Sequence, residues 1–351
     1  MTDAQRPLRI LTITNLWPVD GSFRGIFVRE HVEILRRLGH HVDVEVVAQK
    51  RGRADYLLAG PRVWRRVRRG NYDVVHVHYG LTALAARFAR GVPRVLTIYG
   101  SDVNVGWQRR VTRFAWAGTT ARIYLSRPSA QRAGEPSGTV IPNGVDFSLF
   151  APSDRAAARA ALGLEPGDKV ILFGAATGSP IKGYDVFTDV LAELRNRGVA
   201  VRELVLAAPG QPRSEVPAKF AAADVLLFTS KKGFESSPTV VKEASAMGLP
   251  VVSVGVGDVR EVLSGVTPSA VVDYPEPWGG EDARRALVTE LADRTEEVLA
   301  KGGRSNGREA IAHLDAEVIA RRVVEVYREA IAASKRGATG EAGADLKAGA
   351  R

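Results

Sequence analysis

The chain contains no cysteine among its 351 residues and lacks a long uninterrupted hydrophobic run. The absence of cysteine excludes disulfides, thiolate metal ligands, iron–sulfur clusters and a cysteine nucleophile. No segment approaches the roughly 18 consecutive apolar residues of a membrane-spanning helix. The polar stretch from Met1 to Pro7 does not resemble a signal peptide. We therefore expect a cytoplasmic protein.

Positive charge is concentrated in one half of the chain. Residues 1–146 hold 23 Lys and Arg against 11 Asp and Glu, within an overall net charge of +10. Such a basic half suits an anionic partner: a phosphorylated substrate, an anionic lipid surface or nucleic acid. The alternative is that the arginines are solvated surface charges with no partner. No nucleic-acid recognition motif accompanies the charge, so we expect no nucleic acid partner. The segment from Lys50 to Arg69, with Trp64 among arginines, suits either an anionic membrane surface or a solvated helix.

Short apolar, β-branched runs alternate with helical periodicity along the chain. Runs that are apolar on both faces predict parallel strands covered by helices on both sides, and hence doubly wound α/β sheets. The predicted strands are Leu8–Thr14, Val42–Val47, Asp73–His78, Pro93–Ile98, Arg122–Leu125, Thr139–Ile141, Lys169–Phe173, Glu203–Leu206, Val225–Phe228, Pro250–Val254 and Ala270–Val272. Such sheets bind ligands at the carboxyl ends of their strands, and two facing sheets would hold a ligand in the cleft between them.

The order of these elements predicts two Rossmann-like domains, residues 1–146 and 147–315. Pro142 and Gly144 interrupt the chain after a strand, and an alanine-rich helix follows. Residues 316–334 show helical spacing of apolar side chains, which predicts an amphipathic helix that packs back on the N-terminal domain. Residues 335–351 are rich in Gly, Ala and Lys, and we expect a disordered tail.

The strongest local pattern lies between residues 235 and 252. Residues 235–238 read Glu-Ser-Ser-Pro, and residues 243–252 read Glu-Ala-Ser-Ala-Met-Gly-Leu-Pro-Val-Val. Ser237 suits a helix N-cap, Pro238 the first helical position and Gly248 a left-handed C-cap. A helix start offers free amides and a positive dipole end to an anion. Flanking carboxylates would repel that anion unless they accept hydrogen bonds from sugar or ribose hydroxyls.

This pattern resembles the signature of glycosyltransferase family 4 (group 1), a family of retaining enzymes with the GT-B fold. The resemblance rests on the two glutamates with seven residues between them, the Ser-Pro step and the Gly-x-Pro-Val-Val exit. Residues 140–146, which include Pro-Asn-Gly-Val-Asp, match the family's interdomain linker. The resemblance implies an N-terminal acceptor-binding domain and a C-terminal domain that binds a nucleotide sugar.

The resemblance implies a donor site in the C-terminal half. Glu235 would contact the donor sugar, Glu243 the ribose, and Lys182 the phosphates; a lysine beside a glycine-rich loop suits the last role as a point charge. Glu235 and Lys182 are also catalytic candidates, together with Asp102. The remaining donor-binding candidates are Gly25, Gly174, Ser237, Pro238, Thr239 and Val240; around Ser237 to Val240 the resemblance implies that backbone amides bind pyrophosphate and sugar.

On the acceptor side the candidates are His78, Tyr79 and Tyr99. His76 and His78 share a strand face, but no third ligand is evident, so we predict no metal site. The chain departs from the family at several positions. Tyr99 stands where the family has a histidine, and a phenol is a poor base at neutral pH. Ser236 replaces a usual glycine, Ala175 a usual arginine, and the segment between Glu203 and Asp224, which helps form the nucleobase pocket, is short.

These observations predict a retaining glycosyltransferase that moves a hexose from a nucleotide-diphosphate sugar to a hydroxyl of a saccharide or lipid-linked acceptor. We expect no cofactor beyond the sugar nucleotide, a role in cell-surface polysaccharide or glycolipid biosynthesis, and a place in the cytoplasm or at the inner face of the membrane. Two alternatives remain open: a sugar-nucleotide epimerase or phosphorylase on the same fold, and a non-catalytic two-lobed sugar- or nucleotide-binding protein.

Overall fold

A computed structural model of the chain describes residues 6–19, 24–48, 52–207 and 211–348, with side chains through residue 336. Its contacts divide it into two units. The first comprises the described residues up to Pro18, Arg24–Ile141 and the chain from Glu317 onward; the second is Pro142–Ala316. Lys50, the predicted start of the basic segment, lies outside the described residues. No helix in the described part of the chain is long and apolar enough to cross a membrane.

The first unit is built on a six-stranded parallel sheet with strand order β2-β1-β3-β4-β5-β6. Its strands are β1 (Arg9–Thr14), β2 (His41–Val46), β3 (Val74–His78), β4 (Arg94–Ile98), β5 (Ala121–Tyr124) and β6 (Thr139–Val140). Its helices are α1 (Ile26–Arg37), α2 (Asp55–Leu58), α3 (Gly60–Gly70), α4 (Ala83–Ala86), α5 (Gly100–Asn104), α6 (Gly106–Ala115) and α7 (Arg127–Ala133). The strand order reverses between β1 and β3, which is where such sheets bind ligands.

The second unit is built on a five-stranded parallel sheet with strand order β11-β10-β9-β7-β8. Its strands are β7 (Val170–Phe173), β8 (Arg202–Val205), β9 (Val225–Phe228), β10 (Val251–Val254) and β11 (Ala270–Val272). Its helices are α8 (Arg155–Ala161), α9 (Tyr184–Asn196), α10 (Val216–Ala222), α11 (Thr239–Ala246), α12 (Val259–Val262), α13 (Gly280–Lys301) and α14 (Gly307–Ala310). All eleven predicted strands are present, and the doubly wound α/β class is confirmed.

The last helix is longer than the sequence predicts. Helix α15 spans Ala316–Ala348, whereas we expected a helix to residue 334 and a disordered tail beyond it. The packed turns before residue 335 provide the costly helix nucleus, and the alanines that follow favour continuation although Gly337, Gly340 and Gly343 oppose it. Residues 349–351 of the predicted tail lie outside the described residues.

The two faces of the first sheet differ in chemistry. One face carries Leu11, Ile13, Val75, Val77, Leu96 and Ile98, which belong to the apolar core of this unit. The opposite face carries Thr12, Thr14, His76, His78 and Thr97, and all five are buried. The strand register aligns Thr12 with His76 and His78 with Thr97, so these polar groups form one continuous patch. Buried polar groups are costly unless they are hydrogen-bonded.

Helix α15 supplies a hydrogen bond to this buried polar face. The hydroxyl of Tyr327 lies 2.6 Å from Nδ1 of His76, and Nε2 of His76 lies 2.7 Å from Oγ1 of Thr97. Burial raises the pKa of Tyr327 well above its usual value, so the phenol stays protonated. Both ring nitrogens of His76 are hydrogen-bonded, one to Tyr327 and the other to Thr97. Tyr327 and Thr97 therefore satisfy both nitrogens of this histidine inside the sheet.

His31 of α1 faces the same two histidines. Its ring centroid lies 5.8 Å from that of His76 and 6.0 Å from that of His78. His31 is half-buried as a residue, yet its Nε2 is buried without a hydrogen-bond partner, as is Nε2 of His78. Burial lowers the pKa of His31 to about 4 and the pKa values of His76 and His78 well below 6.5. The cluster is thus neutral at pH 7.

Acid should destabilise the protein through this cluster. Between pH 6.5 and 4 the unfolded chain protonates His31 while the folded chain does not, so stability is lost as the pH falls. We expect His31→Gln to reduce the loss of unfolding free energy between pH 7 and pH 5 by about 2 kcal/mol, since one pKa unit is worth about 1.4 kcal/mol. Urea titrations of wild type and variant at both pH values measure this difference.

Asp102 provides a control of opposite sign. Burial raises the pKa of this carboxyl from 3.8 to about 7, so the folded state retains a proton that the unfolded state has lost. Its contribution therefore improves as the pH falls, and Asp102→Asn should enlarge the acid-induced loss. Equal pH slopes for wild type and both variants would contradict this account of the buried groups.

A glycine brings the loop after β7 onto the end of β9. Gly183 precedes α9 with φ of 70°, a left-handed conformation that favours glycine. A Cβ at this position would collide with the backbone carbonyl oxygen of Thr229. The Thr229 hydroxyl donates to the carbonyl of Gly183 (2.9 Å), and the amide of Lys231 donates to that of Ile181 (2.9 Å). The loop that carries Lys182 is therefore held against the residues that follow the carboxyl end of β9.

We expect Gly183→Ala to lower the unfolding free energy by about 2–4 kcal/mol, because left-handed strain and the clash with Thr229 add together. Gly198→Ala is the matched control. Gly198 has a similar φ of 80°, and nothing lies within 4 Å of its ideal Cβ. This control should cost only about 1–2 kcal/mol. Urea unfolding measures both variants, and equal losses would mean that close approach to Thr229 plays no part.

Candidate functional site

The carboxyl edge of the second sheet gathers most of the predicted donor residues. The strand order reverses at β7, because β8 lies on one side of it and β9 on the other. The loops that follow β7 and β9 carry Lys182 and Glu235, respectively. Ligands of open α/β sheets bind at such a reversal. Both side chains therefore lie where the topology favours a binding site.

Lys182 and Glu235 form an ion pair. The Lys182 ammonium lies 2.6 Å from Oε1 of Glu235, and the Ser230 hydroxyl donates to the same oxygen at 2.8 Å. The side chains are 30% and 11% exposed, so both retain some access to solvent. The pair brings a cation for phosphate and an acceptor for sugar hydroxyls to one place. The sequence did not indicate that these two candidates contact each other.

Glu243 lies on α11 and is 3% exposed. It pairs with Arg213, whose Nη2 lies 2.7 Å from Oε1. Arg213 opens a short 3₁₀ turn in the abbreviated segment between β8 and α10. A buried carboxylate without a partner is strongly unfavourable, and the guanidinium supplies one. Arg213 was not among the predicted site residues, because nothing in the segment 203–224 relates it to Glu243.

Ser237 does not cap α11, which corrects the capping prediction. The helix begins at Thr239 after Pro238, and no side chain caps it. The Ser237 hydroxyl donates to Asp258 (2.7 Å) and accepts from the amide of Asn143 (3.1 Å). These contacts, with a further one from Lys242, occupy the hydroxyl. The predicted C-terminal signal is confirmed, since Gly248 adopts a left-handed φ of 67° just beyond the helix.

A fully buried lysine organises the start of α11. The ammonium of Lys242 donates to the carbonyl of Asn143 (2.9 Å), to Asp258 (2.8 Å) and to the hydroxyl of Ser237. Burial lowers the pKa of Lys242, and the nearby Asp258 opposes this. Lys242 was not among the predicted site residues, because an isolated lysine in a sequence normally indicates a solvated helix face. Its position one residue before Glu243, on a helix whose other residues are small or apolar, was the available signal.

The remaining donor candidates of this unit flank the helix start. An ideal Cβ on Gly174, just beyond β7, would lie 3.0 Å from the Val240 side chain. Thr239 and Val240 form the first turn of α11, and Pro238 precedes it. First-turn amides have no intrahelical partner, and the helix dipole favours an anion there. The small residue at 174 therefore keeps the β7 edge close to the amides of α11.

In the first unit, Asp102 is fully buried. Its Oδ2 accepts hydrogen bonds from the backbone amides of Tyr99 (2.9 Å) and Gly80 (3.0 Å), and its Oδ1 has no partner. These contacts tie the loop after β3 to the start of α5. They assign Asp102 a clear local structural role, and its catalytic role stays a prediction.

The acceptor-side candidates lie at the carboxyl ends of β3 and β4. His78 Nδ1 and the Tyr99 hydroxyl are hydrogen-bonded at 2.8 Å, and burial raises the pKa of Tyr99 far above 10, so the phenol stays protonated. Tyr79 has a positive φ of 78°, a strained conformation for an aromatic residue, and its hydroxyl donates to Gln108 at 2.7 Å. Gly25, the donor-binding candidate of the first unit, precedes α1 with φ of 79°. An ideal Cβ on it would collide with the backbone of Leu16.

Within the residues that the structure describes, no group of three or more His, Asp or Glu side chains could hold a metal ion. His31, His76 and His78 lie close together, but His76 is occupied by Tyr327 and Thr97. His31 and Tyr327 were not among the predicted residues. They approach the sheet from helices distant in sequence, and only the fold relates them to His78.

Known proteins match both halves of the chain. The family described as Glycosyltransferase Family 4 matches residues 25–149, and the one described as Glycosyl transferases group 1 matches residues 209–293. A D-inositol 3-phosphate glycosyltransferase from Saccharomonospora viridis is 30% identical, over 75% of this chain and 72% of its own length. One from Segniliparus rotundus is 27% identical, over 72% of this chain and 63% of its own. The chain thus spans about two thirds of these relatives.

Solved structures share the fold. A sucrose-phosphate synthase from Thermosynechococcus elongatus superposes with a TM-score of 0.71 at 18% identity, covering 93% of this chain and 100% of its own. HepE from Anabaena, in complex with UDP-glucose, gives a TM-score of 0.63 at 20% identity, covering 92% and 100%. Identities this low establish the architecture alone. Together with the family matches, they show that the chain is a GT-B-fold glycosyltransferase and belongs to glycosyltransferase family 4, group 1.

Proposed function

We propose that this glycosyltransferase transfers a hexose from a nucleotide-diphosphate sugar to a hydroxyl of a saccharide or lipid-linked acceptor, with retention of configuration. The paired Lys182 and Glu235 at the carboxyl edge of the second sheet carry the proposal. Relatives named D-inositol 3-phosphate glycosyltransferase and the HepE complex with UDP-glucose support a sugar-nucleotide donor. The proposal includes no resident cofactor.

The second unit offers the groups that a sugar nucleotide requires. Lys182 and the amides at the start of α11 would bind the diphosphate, because both present positive charge to an anion. Glu235 would accept hydrogen bonds from sugar hydroxyls, and Glu243 from the ribose. Because Lys182 is already paired with Glu235, binding of the diphosphate would move the Lys182 ammonium from the carboxylate toward a phosphate.

Transfer breaks the bond between the anomeric carbon and the β-phosphate oxygen and forms a bond from that carbon to the acceptor oxygen. The acceptor proton passes to the departing phosphate. Negative charge grows on the leaving diphosphate, so Lys182 and the α11 amides would stabilise the transition state electrostatically. Same-face attack retains the anomeric configuration, which proton NMR of the product reads directly.

The first unit would bind the acceptor. Asp102, His78, Tyr79 and Tyr99 lie at the carboxyl ends of β3 and β4, where sheets of this type bind ligands. The strained backbone of Tyr79 is typical of functional positions. His78 keeps an unpartnered, buried Nε2, while its Nδ1 is hydrogen-bonded to Tyr99. Nε2 of His78 would therefore form a hydrogen bond with an acceptor hydroxyl, which can both donate and accept.

An apolar and basic surface of the first unit would face an anionic membrane, and we define it by Leu57, Leu58, Trp64, Phe88 and Phe114. Their exposed fractions range from 43% for Phe88 to 69% for Leu58. Helices α2, α3 and α6, which carry four of these residues, all contact α4, and Phe88 follows α4 in the chain.

Arginines line this surface. The Arg68 guanidinium lies 5.0 Å from the Trp64 ring, and that of Arg87 lies 4.6 Å from the Phe114 ring. Exposed aromatic and aliphatic groups among arginines suit the boundary of anionic lipids. A lipid-linked acceptor would be within reach of an enzyme held there.

Nucleoside diphosphates should stabilise the protein against heat. We expect Lys182→Gln, which removes the charge but keeps a polar side chain, to weaken UDP binding about 10–100-fold, since a charge-assisted hydrogen bond is worth about 1.5–3 kcal/mol. The same substitution should weaken the binding of UMP less, because UMP lacks the second phosphate. Thermal shift with UDP, UMP and UDP-glucose, followed by calorimetric titration, measures this.

Lys301→Gln, at the exposed end of α13, is the matched control and should bind as wild type does. No stabilisation of the wild type by any nucleoside diphosphate or sugar nucleotide would overturn the proposed function. Equal weakening of UDP and UMP by Lys182→Gln would overturn only the phosphate role of Lys182.

The protein should sediment with vesicles that contain anionic phosphatidylglycerol and not with pure phosphatidylcholine vesicles. Binding should weaken with salt, because each basic residue near an anionic surface contributes about 1 kcal/mol that ions screen. We expect Leu58→Ser and Trp64→Ser to reduce the bound fraction several-fold, as both remove apolar area from the boundary.

Val318→Ser, on α15 and 42% exposed, removes a comparable apolar group outside the surface and should leave vesicle binding unchanged. Failure to bind anionic vesicles, or equal losses in all three variants, would exclude the membrane role of this surface while leaving the transferase proposal intact.

A further inference from the structure

Arg213 forms an ion pair with Glu243, the residue to which the proposed function assigns ribose binding. Its Nη2 lies 2.7 Å from Oε1 of Glu243, and its Nη1 lies 3.5 Å from Oε2. The side chains of Arg213 and Glu243 are 15% and 4% exposed. The short contact is therefore to one oxygen, and the guanidinium faces the carboxylate edge without saturating it, since an ionised carboxylate offers about four acceptor sites.

The guanidinium is itself held in place. Its central carbon lies 4.8 Å from the centroid of the Phe150 ring. Phe150 is fully buried and packs edge-to-face against Phe220 at 5.9 Å. Arg308 donates to the backbone carbonyl of Phe150 at 2.7 Å. A planar cation stacked on a fixed ring loses little freedom when it binds a carboxylate.

This arrangement solves two problems of placing Glu243 beside a nucleotide. The positive charge of Arg213 balances the carboxylate, which would otherwise repel the diphosphate. The two Nη atoms of Arg213 also fix the orientation of the Glu243 carboxylate, so the acceptor positions that remain on its oxygens point in a defined direction. A pair of neighbouring hydroxyls, as on a ribose, matches the two oxygens of a carboxylate held in this way.

We propose that Arg213 is a positioning residue that determines donor specificity: by orienting Glu243 toward both ribose hydroxyls, it makes the site select ribonucleotides over 2′-deoxyribonucleotides. The inference rests on the proposed function and adds a residue from the short segment between β8 and α10. Direct binding of phosphate by Arg213 would require it to leave Glu243 buried and unpaired, which is unfavourable.

Calorimetric titration of the full chain with UDP, ADP and GDP, and with the 2′-deoxy analogue of each, tests this inference. For the diphosphates that bind, we expect the wild type to prefer the ribonucleotide at least tenfold. Arg213→Gln should reduce this preference to below threefold, because the carboxylate is no longer oriented. Arg213→Lys keeps the charge without the planar fork and should retain an intermediate preference.

Glu243→Gln separates positioning from direct contact. If Arg213 acts through Glu243, the double variant Arg213→Gln/Glu243→Gln should show the same ribose preference as Glu243→Gln alone. Melting curves check that each variant folds, and Arg213→Lys keeps the test open if Arg213→Gln does not. An overall loss of stability would weaken the binding of the ribonucleotide and of its 2′-deoxy analogue equally, and the ratio of their affinities would stay unchanged.

The outcomes distinguish this inference from the proposed function. A wild type that binds no nucleoside diphosphate refutes the proposed function and this inference with it. A wild type that binds without preferring ribose, or an Arg213→Gln variant that weakens both members of a pair by the same factor, overturns the role of Arg213 while the transferase proposal stands.

Discussion

The geometry of the second unit's site depends on one buried cation. The ammonium of Lys242 is completely enclosed and donates to three acceptors that come from separate parts of the chain. These are the carbonyl of Asn143, the carboxylate of Asp258 and the hydroxyl of Ser237. An enclosed ammonium with three donors tolerates little movement of its partners, because each lost contact would leave a charge unsatisfied. The turn before α11 is thereby fixed relative to the segment at residue 143 and the turn after β10.

The polar face of the first sheet and the candidate site of the second unit bury polar groups by different means. The sheet face is neutral: Tyr327, His76 and Thr97 form a chain of hydrogen bonds, and burial keeps His31 unprotonated at pH 7. The candidate site holds ion pairs, Lys242 with Asp258 and Arg213 with Glu243. A neutral network suits the orientation of hydroxyl groups, whereas paired charges suit an anionic ligand.

The strands, the α/β class and the donor motif could be predicted from the sequence because each depends on a local pattern. Apolar runs indicate the eleven strands, and the spacing of Glu235 and Glu243 around a helix start is visible in the sequence itself. The partners of these glutamates do not follow, because Lys182 and Arg213 lie 53 and 30 residues from them. The capping interpretation of Ser237 was wrong for the same reason: Asn143 and Asp258, both distant in sequence, compete for its hydroxyl.

The compensated charges also bear on how a diphosphate would enter. At this edge two cations, Lys182 and Arg213, are already paired with two carboxylates, Glu235 and Glu243, so a diphosphate would compete with these carboxylates for them. Moving Lys182 toward a phosphate exchanges one ionic partner for another, and Glu235, still hydrogen-bonded to Ser230, becomes available to a sugar hydroxyl. Arg213 cannot make the same exchange cheaply, because Glu243 has almost no access to water. The more exposed pair is therefore suited to rearrange on binding, and the more buried pair to hold its geometry.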